Sequence, residues 1–276
     1  MAKDHDKFDE GRAPEYLYRY RSFHKDDNRN EEEIKTIFTR NELYFPSRIF
    51  FNDPFDCTIR FKFEGTKEQK IERGVELLEK GNTGTRKGRK NFAKKIAKIP
   101  EMLTNKLEQI YENTYSCVGV LSFAEEPNNL LMWSHYSSTH HGFCLKFKTS
   151  ILSEEPQTVG GFILYPSRVQ YSEEMPVINT IKPLKPENKE NVDKIFLSKS
   201  RHWDYEKEWR INIPEFAGKT WKFPPEFLAG VIFGLRMPER NRNRLRQWIK
   251  EGDCKPKFYE ARKKKNKYGL SIVPIS

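Results

Sequence analysis

Five short apolar runs constrain the architecture most: 17–23 (LYRYRSF), 117–123 (CVGVLSF), 142–147 (GFCLKF), 209–213 (WRINI) and 228–233 (LAGVIF). Each is shorter than an ordinary helix and rich in β-branched and aromatic side chains, so each reads as a strand. Further strand candidates lie at 42–45, 161–164, 168–171, 257–260 and 270–273. Helical patterns fall at 31–40, with Asn30 as a plausible N-cap, and at 66–114, 127–136, 188–200 and 238–250. Residues 176–187 contain prolines and read as a connection. The order shows no regular β-α alternation, which predicts an α+β fold with a mixed or antiparallel sheet. No run approaches the roughly 18 apolar residues of a membrane span.

The chain has 276 residues and a net charge of +11, from 50 Lys and Arg against 39 Asp and Glu. The charge is local: residues 60–110 are net +7 and residues 255–268 net +6, so the remainder is close to neutral. Aromatics reach 13%, which argues against disorder. Residues 1–15 are polar and read as a flexible leader, with no apolar stretch resembling a secretory signal. Cys57, Cys117, Cys144 and Cys254 are too scattered for a metal motif and read as reduced thiols of a cytoplasmic protein. The expected organisation is one α+β domain over 16–276, with a basic helical insertion at about 64–115 introduced by a capping-box pair, Thr66 and Gln69. Arg86, Lys87, Arg89 and Lys90 in that insertion, with Lys263 and Lys264 in the late basic loop, are the candidate contacts to RNA or DNA. Solvated surface segments are the alternative reading.

Three patterns could carry chemistry. Glu206 and Glu208 flank Lys207 just before an apolar strand; on an extended segment both would face one side, and two carboxylates so close repel unless a cation or hydroxyl stabilises them. A solvated strand edge with Arg210 screening Glu208 is the competing reading. Ser122 ends a strand and leads to a helix presenting Trp133, His135 and Tyr136, where an aromatic ring could stack a planar ligand. Alternatively Trp133 is core and His135 satisfies a buried carbonyl. Arg19 and Arg21 alternate with tyrosines on the first strand and could clamp a phosphate. No G-x-G-x-x-G, Walker A, H-E-x-x-H or G-x-S-x-G pattern is present, so a metal site, a P-loop, a Rossmann dinucleotide site and a hydrolase elbow are not expected.

The blocks LYRYRSF, FFNDPFD, LSFAEEPNNLLMWSHYSSTHHGFCLKF, HWDYEKEWRI and VIFG, in that order between Tyr16 and Gly234, resemble the bacterial family of the domain of unknown function 2971. They are also similar to a divergent mono-ADP-ribosyltransferase of the Arg–Ser–Glu type, with Ser122-Phe123-Ala124 in place of Ser-Thr-Ser and a basic insertion beyond the minimal fold. That resemblance implies NAD⁺ as substrate, with no metal. Arg19 or Arg21 would hold phosphates, Ser122 the nicotinamide ribose, and Tyr136 or Trp133, beside His135, the nicotinamide. Glu208 would bind the ribose 2′-OH, and Glu206 would orient the acceptor. It implies an ADP-ribosyltransferase or NAD glycohydrolase acting on a protein or nucleic acid, of the toxin or antiphage-effector kind, in which Glu208→Gln stops turnover and keeps the fold. A non-catalytic nucleic-acid-binding or sensor module, and a metal-independent RNA-cleaving enzyme using His135, are the alternatives.

Overall fold

The computed structural model describes residues 12–23, 28–80, 115–181 and 189–275, together with 85, 87, 88, 91 and 111. Eight strands form one mixed sheet. They are β1 (Tyr16–Arg21), β2 (Gly119–Ala124), β3 (Phe143–Lys148), β4 (Ser167–Arg168), β5 (Glu208–Ile213), β6 (Leu228–Phe233), β7 (Lys257–Lys263) and β8 (Leu270–Pro274). Their order across the sheet is β8-β7-β6-β3-β1-β2-β5-β4. Neighbours run antiparallel except β6 and β7. A parallel pair needs a crossover, and here it carries a helix. The helices are α1 (Asn28–Thr39), α2 (Lys67–Lys80), α3 (Leu130–Tyr136), α4 (Ser150–Glu154), α5 (Lys189–Phe196) and α6 (Glu239–Glu251), the last being the crossover. The architecture is thus α+β around a large mixed sheet.

Strand alternation sorts the core into faces. Leu17, Phe143, Leu145, Phe147, Val231 and Phe233 point to one side and pack with Ile34, Ile37 and Phe38 of α1 and Leu245, Trp248 and Ile249 of α6. Tyr20, Cys144 and Ile232 point to the other side, where Met132 and Trp133 of α3 cover them. A third cluster gathers Cys57, Ile59, Tyr115, Val118, Val120, Ile195 and Phe196. On β2, Val120 belongs to this third cluster and Ala124 to the α3 cluster. Ser122 lies between them on the same face, in the gap where neither cluster closes.

The sheet parts at the same place. β1 pairs with β3 at all six of its residues, but with β2 only at Tyr18↔Ala124. Arg19 and Arg21 on one side and Val120 and Ser122 on the other line the resulting gap.

Several local expectations need adjustment. α1 starts at Asn28, so Asn30 lies inside the helix. The helix expected over 188–200 ends at Phe196; Ser198–Ser200 is instead a strand parallel to Gln170–Ser172, followed by a 3-10 turn at Arg201–Glu206. Within the stretch read as a connection, Val177–Asn179 pairs with Arg60–Lys62. The capping box forms: the Thr66 amide donates to Gln69 Oε1 (2.8 Å) and the Gln69 amide to Thr66 Oγ1 (3.3 Å). Most of the expected insertion beyond α2 lies outside the described residues, including Arg86, Arg89 and Lys90, while Lys87 is exposed.

Gly142 joins α3 to β3 at a point with no room for a side chain. A Cβ there would sit 2.1 Å from the Arg21 carbonyl oxygen and 3.1 Å from that of Ser137, both backbone atoms. Gly142→Ala is therefore expected to lower stability by about 1–3 kcal/mol, the usual cost of overpacking. A reduced urea midpoint at unchanged slope checks this; an unchanged midpoint contradicts the packing described.

Candidate functional site

The parting of β1 and β2 opens a cavity of about 500 Å³. Arg19, Arg21, Ser122, His135, Tyr136, Glu206 and Glu208 all line it, so seven of the eight residues singled out for catalysis or NAD⁺ binding meet in one place. Trp133 is the exception. It is fully buried, its indole N–H donates to the Pro127 carbonyl (2.8 Å), and Tyr20 packs on it edge-on at 5.2 Å. It belongs to the core rather than the cavity, because α3 turns that face onto the sheet.

α3 is positioned by its cap. The Asn129 side chain accepts from the amides of Leu131 and Met132, and its Nδ2 donates to the Tyr205 carbonyl (2.7 Å). One side chain thus ties the helix that presents His135 and Tyr136 to the turn that presents Glu206.

Glu206 and Glu208 converge by a different route from the one the spacing suggests. Glu206 closes the 3-10 turn, Lys207 is left-handed (φ 44°), and only Glu208 lies on a strand. A pair of buried cations brings the carboxylates together. Lys199 Nζ lies 2.5 Å from Glu206, 3.0 Å from Glu208 and 3.4 Å from Asp56. Arg210 Nε and Nη2 donate to the two oxygens of Glu208 (2.7 and 2.8 Å), and Nη1 and Nη2 to those of Asp56 (2.9 and 2.7 Å). Nη1 also donates to the Phe196 carbonyl (2.9 Å). Every N–H of the guanidinium therefore has an oxygen partner.

The two carboxylates are driven apart electrically. Burial alone would raise Glu208, but Arg210 and then Lys199 outweigh it and hold the carboxyl down at about 2. Burial pushes Glu206 up, and Glu208 adds to this against the pull of Lys199. Its second oxygen accepts from Tyr136 Oη at 2.5 Å, and the Tyr136 phenol is raised by burial and by Glu206. Glu208 is thus a fixed anion and Glu206 the carboxylate readier to take a proton. Such divergence of neighbouring acids is characteristic of sites that handle protons.

Across the cavity the cations are less satisfied. Arg21 pairs with Glu33 of α1 (2.9 Å). Arg19 donates to the Ser122 carbonyl (3.1 Å) and has no carboxylate within pairing distance among the described residues. Burial, then Arg21, pushes its guanidinium down to about 9, and it stays cationic at neutral pH.

Three further residues belong to the site that the sequence patterns do not single out: Lys199, Asp56, and Asn52, whose amide donates to Tyr136 Oη (3.4 Å). The FFNDPFD block is the available signal for Asp56 and Asn52; no local pattern marks Lys199. Lys263 and Lys264 are exposed at the far side of the sheet and do not touch the cavity. No group of His, Cys, Asp and Glu among the described residues is arranged to hold a metal ion, and no described helix is long and apolar enough to cross a membrane.

Residues 132–211 match the model of a family described as a protein of unknown function (DUF2971). The match takes in Tyr136, Lys199, Glu206, Glu208 and Arg210, and leaves Arg19, Asp56 and Ser122 outside. No curated protein and no solved structure matches the chain.

Removing one member of a buried ion network leaves its partner's charge uncompensated, so Asp56→Asn is expected to cost about 3–5 kcal/mol in chemical denaturation. The network also sets acid sensitivity. Glu208 falls from the ordinary 4.5 to about 2 on folding, so its stabilisation is complete above 4.5 and disappears as pH falls toward 2. Glu208→Gln should flatten the stability profile across that window. An unchanged acid limb in this variant would show that Glu208 is not held as an anion.

Proposed function

We propose that this protein cleaves the N-glycosidic bond of NAD⁺ and passes ADP-ribose to a nucleophile on a macromolecule or to water. The observation that supports this most is the convergence of Arg19 and Arg21, Ser122, and Glu206 and Glu208 on one cavity at the parting of two strands. A cavity of about 500 Å³ is of ligand-binding size. Arg19 fits the substrate on its own terms: a cavity-lining guanidinium without a carboxylate partner among the described residues suits a diphosphate.

In this reading the dinucleotide lies with its diphosphate on the β1 wall and its nicotinamide ribose toward β5. Asp56, Glu206 and Glu208 against Lys199 and Arg210 leave one negative charge on the β5 wall when all are ionised. That wall opposes the positive charge that develops at the ribose C1′ as the C1′–N bond breaks and neutral nicotinamide leaves. The acceptor's O–H or N–H then attacks C1′, and its proton passes to Glu206, the carboxylate whose affinity for protons is raised. Tyr136 holds Glu206 in place and offers a ring face toward the nicotinamide.

Glu208→Gln is isosteric but not innocent, because it removes a charge from a buried network with Arg210 and Lys199. Reduced turnover in that variant would not separate catalysis from folding. Arg19 makes the cleaner test, since it is only half-buried, lies outside that network, and leaves no carboxylate unpaired among the described residues when it is replaced.

Arg19→Gln is expected to retain the unfolding temperature while lowering nicotinamide release from NAD⁺, with cell lysate as acceptor source, by about 100-fold. Chromatography of free nicotinamide gives the readout. Wild-type release by Arg19→Gln, or no binding and no consumption of NAD⁺ by the wild-type protein, would overturn the reading.

A further inference from the structure

We propose a second site: the face built by α6 and the β7–β8 hairpin binds single-stranded nucleic acid. This inference stands apart from the NAD⁺ reading and does not need it. Residues 236–268 carry thirteen Lys and Arg against four Asp and Glu, a net +9 in a chain of net +11. In sequence the helix and the loop are separate basic stretches. The fold joins them, because the crossover helix packs beside the strand that follows it. Glu260 of β7 is the joint: Arg242 of α6 donates to one of its oxygens (3.1 Å) and Arg262 to the other (2.6 Å). Arg246 of α6 lies over the Phe258 ring of β7, 5.7 Å from its centroid.

The hairpin carries the more specific sign. Lys263, Lys264, Lys265 and Lys267 are all exposed around a turn closed by the Lys264 amide on the Gly269 carbonyl (3.1 Å). Tyr268 stands among them with 103% of its surface exposed. A large ring with no packing role, ringed by cations, is what a base-stacking contact requires. The lysines are point charges suited to a phosphate backbone, and a flat ring is accessible to an unpaired base but not to one stacked inside a duplex. Stacking of an unpaired base engages the open ring face and the lysines at once, whereas an acidic protein or an anionic membrane is the outcome that the heparin and vesicle arms of the test detect. β6 and β3 separate this hairpin from β1, so the face and the cavity do not share a wall.

The test is fluorescence anisotropy of the whole chain with short labelled oligouridylate and oligothymidylate, read across a salt series. Wild type should bind, with log affinity falling linearly in log salt. Lys263→Ala with Lys264→Ala should lower that slope by roughly one for each phosphate the variant no longer neutralises. Tyr268→Ala should weaken binding about tenfold with the salt slope unchanged, and Tyr268→Phe should restore it. Because all three positions are exposed, unchanged unfolding temperatures will verify that the variants are folded. Equal binding by wild type and Tyr268→Ala would overturn the proposal. So would heparin or duplex DNA binding as tightly as the single strands, or binding only to vesicles rich in phosphatidylserine.

Discussion

The Arg210 guanidinium holds the centre of this molecule together. It lies on β5 and spends its five N–H groups on Glu208, Asp56 and the Phe196 carbonyl. Those partners come from the strand itself, from the loop before Arg60–Lys62, and from the end of α5. The sheet, the 50s loop and the α5 segment are therefore positioned by one side chain, and none can shift without stranding a buried charge. Lys199 repeats the arrangement with three carboxylates. A network of this kind is a poor source of net stability, since desolvation offsets much of the attraction. Its value lies in geometry: it tolerates one arrangement and penalises others steeply.

The charge pattern of the cavity follows from which groups that network satisfies. On the β5 wall every cation is paired and the carboxylates are in excess. On the β1 wall Arg19 has a carbonyl for a partner and no described carboxylate. The cavity thus runs from a cationic wall to an anionic one, and the strand parting that separates the walls also creates the space. A ligand with an anionic part and a cation-forming part would be oriented by this polarity before any specific hydrogen bond formed. Burial keeps such fields strong, because water and salt screen them little.

Much of this is legible in the sequence, though partly for the wrong reason. Strand runs such as 142–147 and 228–233 stand out because alternation and length reflect burial on a sheet directly. The E-x-E spacing points to Glu206 and Glu208, yet the left-handed Lys207 breaks the extended geometry that the spacing implies. The two still converge because Lys199 attracts both. That attraction has no local signature. Asp56 and Arg210 are 154 positions apart, and Lys199 sits where a helix pattern continues past Phe196. Trp133 shows the limit from the other side: its neighbours His135 and Tyr136 reach the cavity, but the helical turn between them sends the indole into the core.

The +11 of the chain also resolves differently in three dimensions. Sequence windows divide it between the 60–110 segment and a late loop. The fold instead unites the late loop with α6, whose arginines the windows leave in the near-neutral remainder. The two electrostatic regions then differ in kind. Inside the cavity, the opposite charges of the β5 wall are buried and fixed by mutual pairing, and Arg19 faces them without a carboxylate partner among the described residues. On the α6 and hairpin face the hairpin lysines are exposed, while the α6 arginines are paired: Arg242 with Glu260, Arg244 with Glu31 and Arg246 with Glu239. The first arrangement is of the kind that suits a ligand of matching shape and polarity. The second attracts by long-range field and weakens with salt. Because they stand on opposite sides of β3 and β6, a long anionic partner could be captured at one without displacing a small ligand from the other.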